Sequence, residues 1–177
     1  MRLRRTGADD FPALQEIERR AGERFREVGL GHVADDEPFS DEELVAYVDA
    51  GRSWVAADDT GEVVAYVVVD IVDGNAHIEQ ISVRPDRQGR GVGRALIDEV
   101  ERWARSQNMD AITLTTFTDV AWNAPLYTHL GFVALAEEEI GPELRAVRTA
   151  EAAHGLDPEV RVCMRRFVKP PRHATRA

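Results

Sequence analysis

The chain is poor in cysteine, in cations and in long apolar runs, and each shortage excludes a class of protein. Cys163 is the one cysteine in 177 residues, which rules out an internal disulfide framework and points away from an oxidising compartment. Lys and Arg number 22 against 32 Asp and Glu, a net charge of −10. A general nucleic-acid binder needs a basic face to meet phosphate, so that class is set aside. The acidic balance suits a cationic small-molecule partner instead. No apolar run approaches membrane length, and the opening MRLRRTGADDF lacks the apolar core of a signal peptide. The expected location is therefore the cytoplasm, with no membrane partner. His32, His77, His129, His154 and His173 show neither an H-x-x-x-H pair nor clustered spacing, so no metal site is expected.

What is present describes an ordinary globule, with 44% hydrophobic and 31% charged residues. The length fits one α/β domain over residues 1–168, large enough to bury a sizeable core. The tail 169–177, KPPRHATRA, is expected to be disordered. Internal repeats are absent.

The stretch 77–96, HIEQISVRPDRQGRGVGRAL, organises the rest. It opens as a strand in which Ile78, Gln80 and Ser82 face one way and His77, Glu79, Ile81 and Val83 the other. Pro85 and Asp86 break it. A glycine-rich turn follows, then a helix whose apolar stripe is Val92, Leu96, Val100 and Trp103. A strand, a glycine-rich turn and a helix N-terminus make an anion site, because free main-chain N–H groups and the helix dipole point at the ligand. Arg87, Arg90 and Arg94 add cations suited to phosphate oxygens. The dinucleotide pattern G-x-G-x-x-G fails, since counting from Gly89 its last position is Arg94, and no Walker G-x-x-x-x-G-K-[ST] occurs. What remains is Q-x-x-G-x-G, with Gln88, Gly91 and Gly93 in place.

Around this stretch the pattern predicts a short strand at 2–5 and a helix burying Phe11, Leu14, Ile17 and Ala21. An irregular segment follows at 25–32, then a helix opened by the capping box Ser40-x-x-Glu43 and carrying Leu44, Tyr47 and Val48. Six carboxylates and no cation lie between Asp35 and Glu43. They read either as dipole complementation on a solvated face or as a rim attracting an amine. Strands at 54–57 and 63–72 should form a meander with the strand at 77. A strand at 110–117, a short helix beyond Asn123 closed by Gly131, and a strand at 132–136 come next. An added helix at 142–154 should turn Leu144, Val147 and Ala150 inward, ahead of a last strand at 160–167.

The Q-x-x-G-x-G turn behind I-S-V, joined by Tyr127-Thr128-His129-Leu130-Gly131-Phe132, resembles the acetyl-CoA signature of the GNAT N-acetyltransferase superfamily. The likeness runs from about Trp54 to Phe132. It implies a single-domain α/β (α+β) fold with a mixed, mostly antiparallel sheet. That sheet splays between the central strand and its parallel neighbour, has helices on both faces, and admits the coenzyme arm to the gap. It further implies acetyl-CoA as acetyl donor, with Ile81, Ser82 and Val83 along the pantetheine and the pyrophosphate on Gln88, Gly89, Arg90, Gly91, Val92, Gly93 and Arg94. Tyr127 would offer its proton to the coenzyme sulfur. Many members carry Asn seven residues before this Tyr. Here Val120 stands there, and Asn123 is left to cap the helix, touch the coenzyme arm, or both.

For the base that deprotonates an acceptor amine, the resemblance offers Glu79 and His77, which share a strand face. Glu79 is preferred as nearer the transfer point, with partial burial expected to raise its pKa, and water is the third route. A Glu on the following strand serves some members, but Thr115 occupies that position. Cys163 reads as a small core residue. The implied function is transfer of acetyl to a primary amine of a small molecule. A protein or peptide acceptor, a non-catalytic acetyl-CoA-binding regulatory domain, and assembly as a homodimer all stay open.

Overall fold

The computed structural model describes residues 1–168; the expected disordered tail lies outside them. β1 (Arg2–Arg5) leads through one 3-10 turn into α1 (Phe11–Gly22), on which Phe11, Leu14 and Ile17 are buried as their spacing predicts. Asp10 closes the entry to α1 by accepting from the Gly7 amide at 2.8 Å and from both Nη atoms of Arg4 at 2.6 and 2.8 Å. A 3-10 stretch and the single turn α2 (Gly31–Ala34) fill the segment read as irregular, where Gly29 at φ 78° ends the run. α3 (Asp41–Asp49) starts on the expected capping box: the Ser40 amide donates to the Glu43 carboxylate at 2.8 Å, and the Glu43 amide returns to Ser40 Oγ at 3.3 Å.

β2 (Ser53–Ala57), β3 (Val63–Val72) and β4 (Asn75–Val83) follow. The strand expected from residue 77 begins at Asn75. Asp73 and Gly74 both take positive φ, 49° and 72°, so a two-residue turn suffices and Asn75 is already in the strand. Then come α4 (Val92–Ser106), β5 (Ala111–Phe117), α5 (Ala124–His129), β6 (Val133–Ala134), α6 (Pro142–Ala153) and β7 (Arg161–Phe167). Together the strands form a seven-stranded mixed sheet in the order β1-β2-β3-β4-β5-β7-β6. On α4 the buried line is Val92, Leu96, Ile97, Val100 and Ala104. Trp103, assigned to that line from spacing, is half-buried, because the i+4 step from Val100 lands on Ala104.

By contact density the described chain divides into two compact units. The first comprises Met1–Asp70 and Ile78–Glu99. β1 pairs antiparallel with β2 from Arg2↔Ala57 to Arg5↔Trp54, and β2 pairs antiparallel with β3. Its core gathers Phe11, Leu14, Ile17, Leu44, Val55, Val63, Tyr66 and Val68. Burying such side chains contributes about 1.5–3 kcal/mol each before entropy is charged against it.

The second unit comprises Ile71–His77 and the chain from Val100 onward. β5 and β7 pair antiparallel over seven residues, from Ala111↔Phe167 to Phe117↔Arg161, and β6 adds at Val133↔Arg165. Its core includes Val72, Ile140, Leu144 and Cys163, with Leu135 and Val147 packed on it. Leu144 and Val147 of α6 thus turn inward as read, but Ala150 is exposed. The i+4 step from Val147 lands on Glu151, which meets Thr115 and Arg161, so Ala150 falls off the inward line. Arg166 and Glu101 form a buried pair at 2.6 Å. β4 and β5 pair in parallel at Ala76↔Ile112 and His77↔Thr113.

Candidate active site

The turn after β4 is built to leave donors unspent. Gly89 and Gly91 adopt φ of 72° and 78°, the left-handed region where a side chain is strained. That path keeps the main-chain N–H groups of Gly89, Arg90, Gly91, Val92, Gly93 and Arg94 without a protein acceptor among the described residues, and the first such bond of α4 is Ala95 to Gly91 at 3.0 Å. A third glycine is less constrained: a Cβ on Gly93 would meet Val83 Cγ2 at an ordinary 3.7 Å. Arg90 and Arg94 are exposed and make no ion pair among the described residues. Arg87, read as a third phosphate cation, is already engaged, with Asp58 at 2.8 Å and Asp86 at 3.5 Å. Gln88 works inside the fold: its amide donates to the Val83 carbonyl at 3.0 Å and its carbonyl oxygen accepts from Arg24. It ties the turn to the end of β4.

On β4, Ser82 is buried while Ile81 and Val83 are half-buried. Glu79 is exposed, so the partial burial expected to raise its pKa is not met. His77 is buried, and its Nδ1 lies 3.0 Å from Thr113 Oγ1. A strand's period of two sets both residues on one face, yet His77 is buried beside Thr113 while Glu79 is exposed.

Tyr127 sits on α5, its ring edge-on to Phe132 at 5.7 Å. Its hydroxyl has no hydrogen bond to protein. Burial pushes its pKa up to about 12, opposed by the charge of Arg161. Asn123 occupies the N-cap position of α5, yet its side chain makes no cap bond. Its Oδ1 accepts from Thr116 Oγ1 at 3.0 Å, and Nδ2 is buried without a partner. A buried amide donor left open is costly unless a ligand satisfies it. The open turn amides suit phosphate oxygens.

Other polar groups are spent on structure. Cys163 is buried, and burial lifts its thiol to about 11, which suits core packing and opposes a nucleophilic role. Within the acidic segment Asp35 pairs with Arg26 at 2.5 Å, Asp41 accepts from Gln15 at 2.8 Å and Glu43 caps α3. Three arrangements escaped the sequence reading. Glu18 accepts from the Tyr66 hydroxyl, and burial raises its carboxyl pKa against that bond. Its position, four residues after Leu14 on the apolar line of α1, was the available signal. Tyr47 donates to Asp70 at 3.1 Å beside Arg52. Glu151 on α6 meets both Thr115 and Arg161, bringing a carboxylate to the very β5 residue that lacks one. Nothing in the sequence marks these last two. Among the described residues no three His, Cys, Asp or Glu are grouped to hold a metal, and no helix is long and apolar enough to cross a membrane.

A mixed sheet whose central strand runs into a glycine-rich turn with open amides is the architecture the family resemblance implies. The chain belongs to the acetyltransferase (GNAT) family, whose model matches residues 12–132. Membership of that family makes it an acyltransferase domain with acetyl-CoA as acetyl donor. It is 32% identical over 92 residues to a mycothiol acetyltransferase of Beutenbergia cavernae, a match covering 51% of this chain and 31% of that protein. Among solved structures it resembles a GNAT-family acetyltransferase from Staphylococcus aureus, with a TM-score of 0.73, 16% identity and coverage of 95% and 99% of the two chains. It also resembles the PaiA N-acetyltransferase of Thermoplasma acidophilum in complex with coenzyme A, at a TM-score of 0.65, 15% identity and coverage of 94% and 98%.

Proposed function

We propose that the chain is an N-acetyltransferase that moves the acetyl group of acetyl-CoA to a primary amine of a small molecule, by direct attack in a ternary complex. The observation that supports this most is the turn from Gly89 to Arg94, whose amides find no protein acceptor and whose arginines Arg90 and Arg94 are exposed. In this reading those amides take the pyrophosphate. The main chain of Ile81, Ser82 and Val83 carries the pantetheine arm, and Asn123 Nδ2 supplies a further donor to it.

An alkylammonium, with a pKa near ~10, must lose a proton before it attacks. Glu79 is the base of choice: it is exposed to an arriving amine and attracts the ammonium, whereas His77 is buried and already bonded. The amine lone pair adds to the thioester carbonyl, the C–N bond forms and the C–S bond breaks, and the coenzyme leaves as thiolate. A thiol of pKa ~8.5 is the stronger acid, so Tyr127 acts chiefly as a neutral hydrogen-bond donor to the departing sulfur. Solvent then completes the protonation. The test is to mix the chain with acetyl-CoA and a panel of small amines and peptides and to follow free thiol. Turnover on small amines, with one N-acetyl product per thiol, is expected. Turnover confined to peptides would reassign the acceptor, and coenzyme binding without turnover on any amine would leave a regulatory domain.

A further inference from the structure

The glycine-rich turn is gripped by another turn of the same compact unit, the one between β2 and β3. Asp58 Oδ2 accepts from Arg87 Nη2 at 2.8 Å, and Glu62 Oε1 accepts from Arg84 Nη1 at 2.6 Å. We propose that Asp58 is a positioning residue for the coenzyme. Acting through Arg87, it fixes the main chain ahead of Gly89, so that the amides from Gly89 to Arg94 stand ready for the pyrophosphate. The inference rests on the acetyl-transfer reading and deepens it.

Asp58 is itself firmly set. Its Oδ1 accepts from the Thr60 amide at 3.0 Å, the Thr60 hydroxyl at 2.6 Å and the Glu62 amide at 3.2 Å, leaving Oδ2 for the guanidinium. The Asp58 side chain is 15% exposed and that of Arg87 31%, so water and salt screen this pair less than an open surface bridge. On the other side of the contact, Arg84 is held by its amide to the Val64 carbonyl at 2.9 Å and by its Nε to Asp86 at 2.6 Å. The Arg87 amide bonds the Arg84 carbonyl at 2.9 Å, and the Gln88 side chain reaches the Val83 carbonyl at 3.0 Å. The chain is thus tied at Arg84, Arg87 and Gln88, and from Gly89 to Arg94 its amides have no acceptor among the described residues. Gly89 and Gly91 are free to sample many conformations, and ordering them at the moment of binding would weaken affinity. Anchoring the residue before Gln88 settles part of that ordering in advance. Arg87 has little left to offer phosphate directly. Asp58 and Asp86 both flank its guanidinium, the latter 3.5 Å from an Nε that is itself buried.

The experiment is calorimetry of acetyl-CoA binding to Asp58→Asn, Arg87→Gln and the double variant. Asp58→Asn keeps an oxygen for the Thr60 and Glu62 amides and removes the charge that holds Arg87. Each single substitution should weaken binding about five- to tenfold, the range expected when one long side chain must be ordered on binding. The double variant should be no weaker than either, because both act through one contact. Without coenzyme, each should melt within about 4 °C of the parent, as loss of a single partly solvated pair implies. A direct phosphate ligand would give opposite signs: Asp58→Asn would free Arg87 and tighten binding, while Arg87→Gln weakened it. That pattern overturns the assignment. So does unchanged affinity in both single variants, or a large fall in melting temperature with parental affinity. Should Asp58→Asn fail to fold, Arg87→Gln decides alone. Its affinity relative to the parent should stay constant from about 0.1 to 0.5 M salt, and a ratio that closes with salt marks a phosphate ligand and overturns the proposal. Each of these failures leaves acetyl-CoA bound by the parent. Absence of binding to the parent defeats the acetyl-transfer reading itself, and this inference with it.

Discussion

The turn from Arg84 to Arg94 and the segment that carries α6 handle polar groups in opposite ways. In the turn, six main-chain amides and two arginines have no protein partner among the described residues. Around α6 the carboxylates are paired, although the Nε atoms of Arg161 and Arg165 are buried without a partner. Asp73 takes the amides of Glu143 and Leu144 at 3.0 Å each, and its own amide donates to the Glu143 carboxylate, a capping box made across the fold. Glu137 binds Arg145 and Arg148, Glu139 binds Arg165 at 2.7 Å, and Glu151 binds Arg161 at 2.6 Å. Folded chains satisfy their polar groups unless a ligand is to do it. The contrast separates a binding site from a structural strut.

The largest test of that contrast places a carboxylate among the open amides. Gly91→Asp forces a side chain into φ 78° and sets like charge against phosphate. Losing charge-assisted bonds worth about 1.5–3 kcal/mol each should weaken acetyl-CoA binding by about 10³-fold. Calorimetry reads this directly, and an unchanged affinity removes the turn from the site.

Next comes the open phenol. Tyr127→Phe keeps the ring against Phe132 and removes one donor, so kcat should fall by about 10²-fold with the melting temperature little changed. Parental turnover in the variant would leave packing as the reason for the tyrosine. The raised pKa of Tyr127, about 12 against the ordinary 10.0, also sets a pH window. Folding favours the protonated form, so its stabilising contribution is complete below pH 10 and is lost as pH rises through 12. A falling limb of kcat below pH 10 would belong to another group.

On the structural side, Gly141→Ala should act on stability alone. A Cβ there would lie 2.3 Å from Asp73 Oδ2, inside the cap of α6. Displacing that carboxylate should cost about 2 kcal/mol, the sum expected of a lost cap and local overpacking. A urea midpoint equal to the parent's would show that the cap contributes nothing.

The smallest effect is expected at Cys163. With its thiol near 11 it should resist alkylation by iodoacetamide at pH 8, about 10²-fold slower than in the unfolded chain. Cys163→Ala should leave kcat within about twofold and cost about 1 kcal/mol, as small core truncations do. Fast native alkylation, or loss of turnover, would return the thiol to the chemistry.

Local patterning made much of this legible. The capping box at Ser40, the stripe of α1, the strand into a glycine-rich turn and the tyrosine before Gly131 all depend on neighbours within a few residues. Where the reading slipped, a distant element had intervened. Ala150 was placed inward by helical period, but Glu151 takes that turn's inward place by meeting Thr115 and Arg161. Asn123 holds the N-cap position, but Thr116 on β5 draws its oxygen away. Arg87 looked like a phosphate cation until Asp58, from the turn before β3, took it.

What the sequence determined by itself is the open turn, because positive φ at glycine and unpaired amides at a helix start are properties of the main chain and its immediate neighbours. What only the tertiary structure decided is which side chains remain available around it. Glu79 and His77 share one strand face, but His77 is buried against Thr113 of β5 while Glu79 is exposed. Asp70, near the far end of β3, meets Tyr47 of α3 and Arg52. Pairings across such separations are set by how elements pack, and no window of sequence contains both partners.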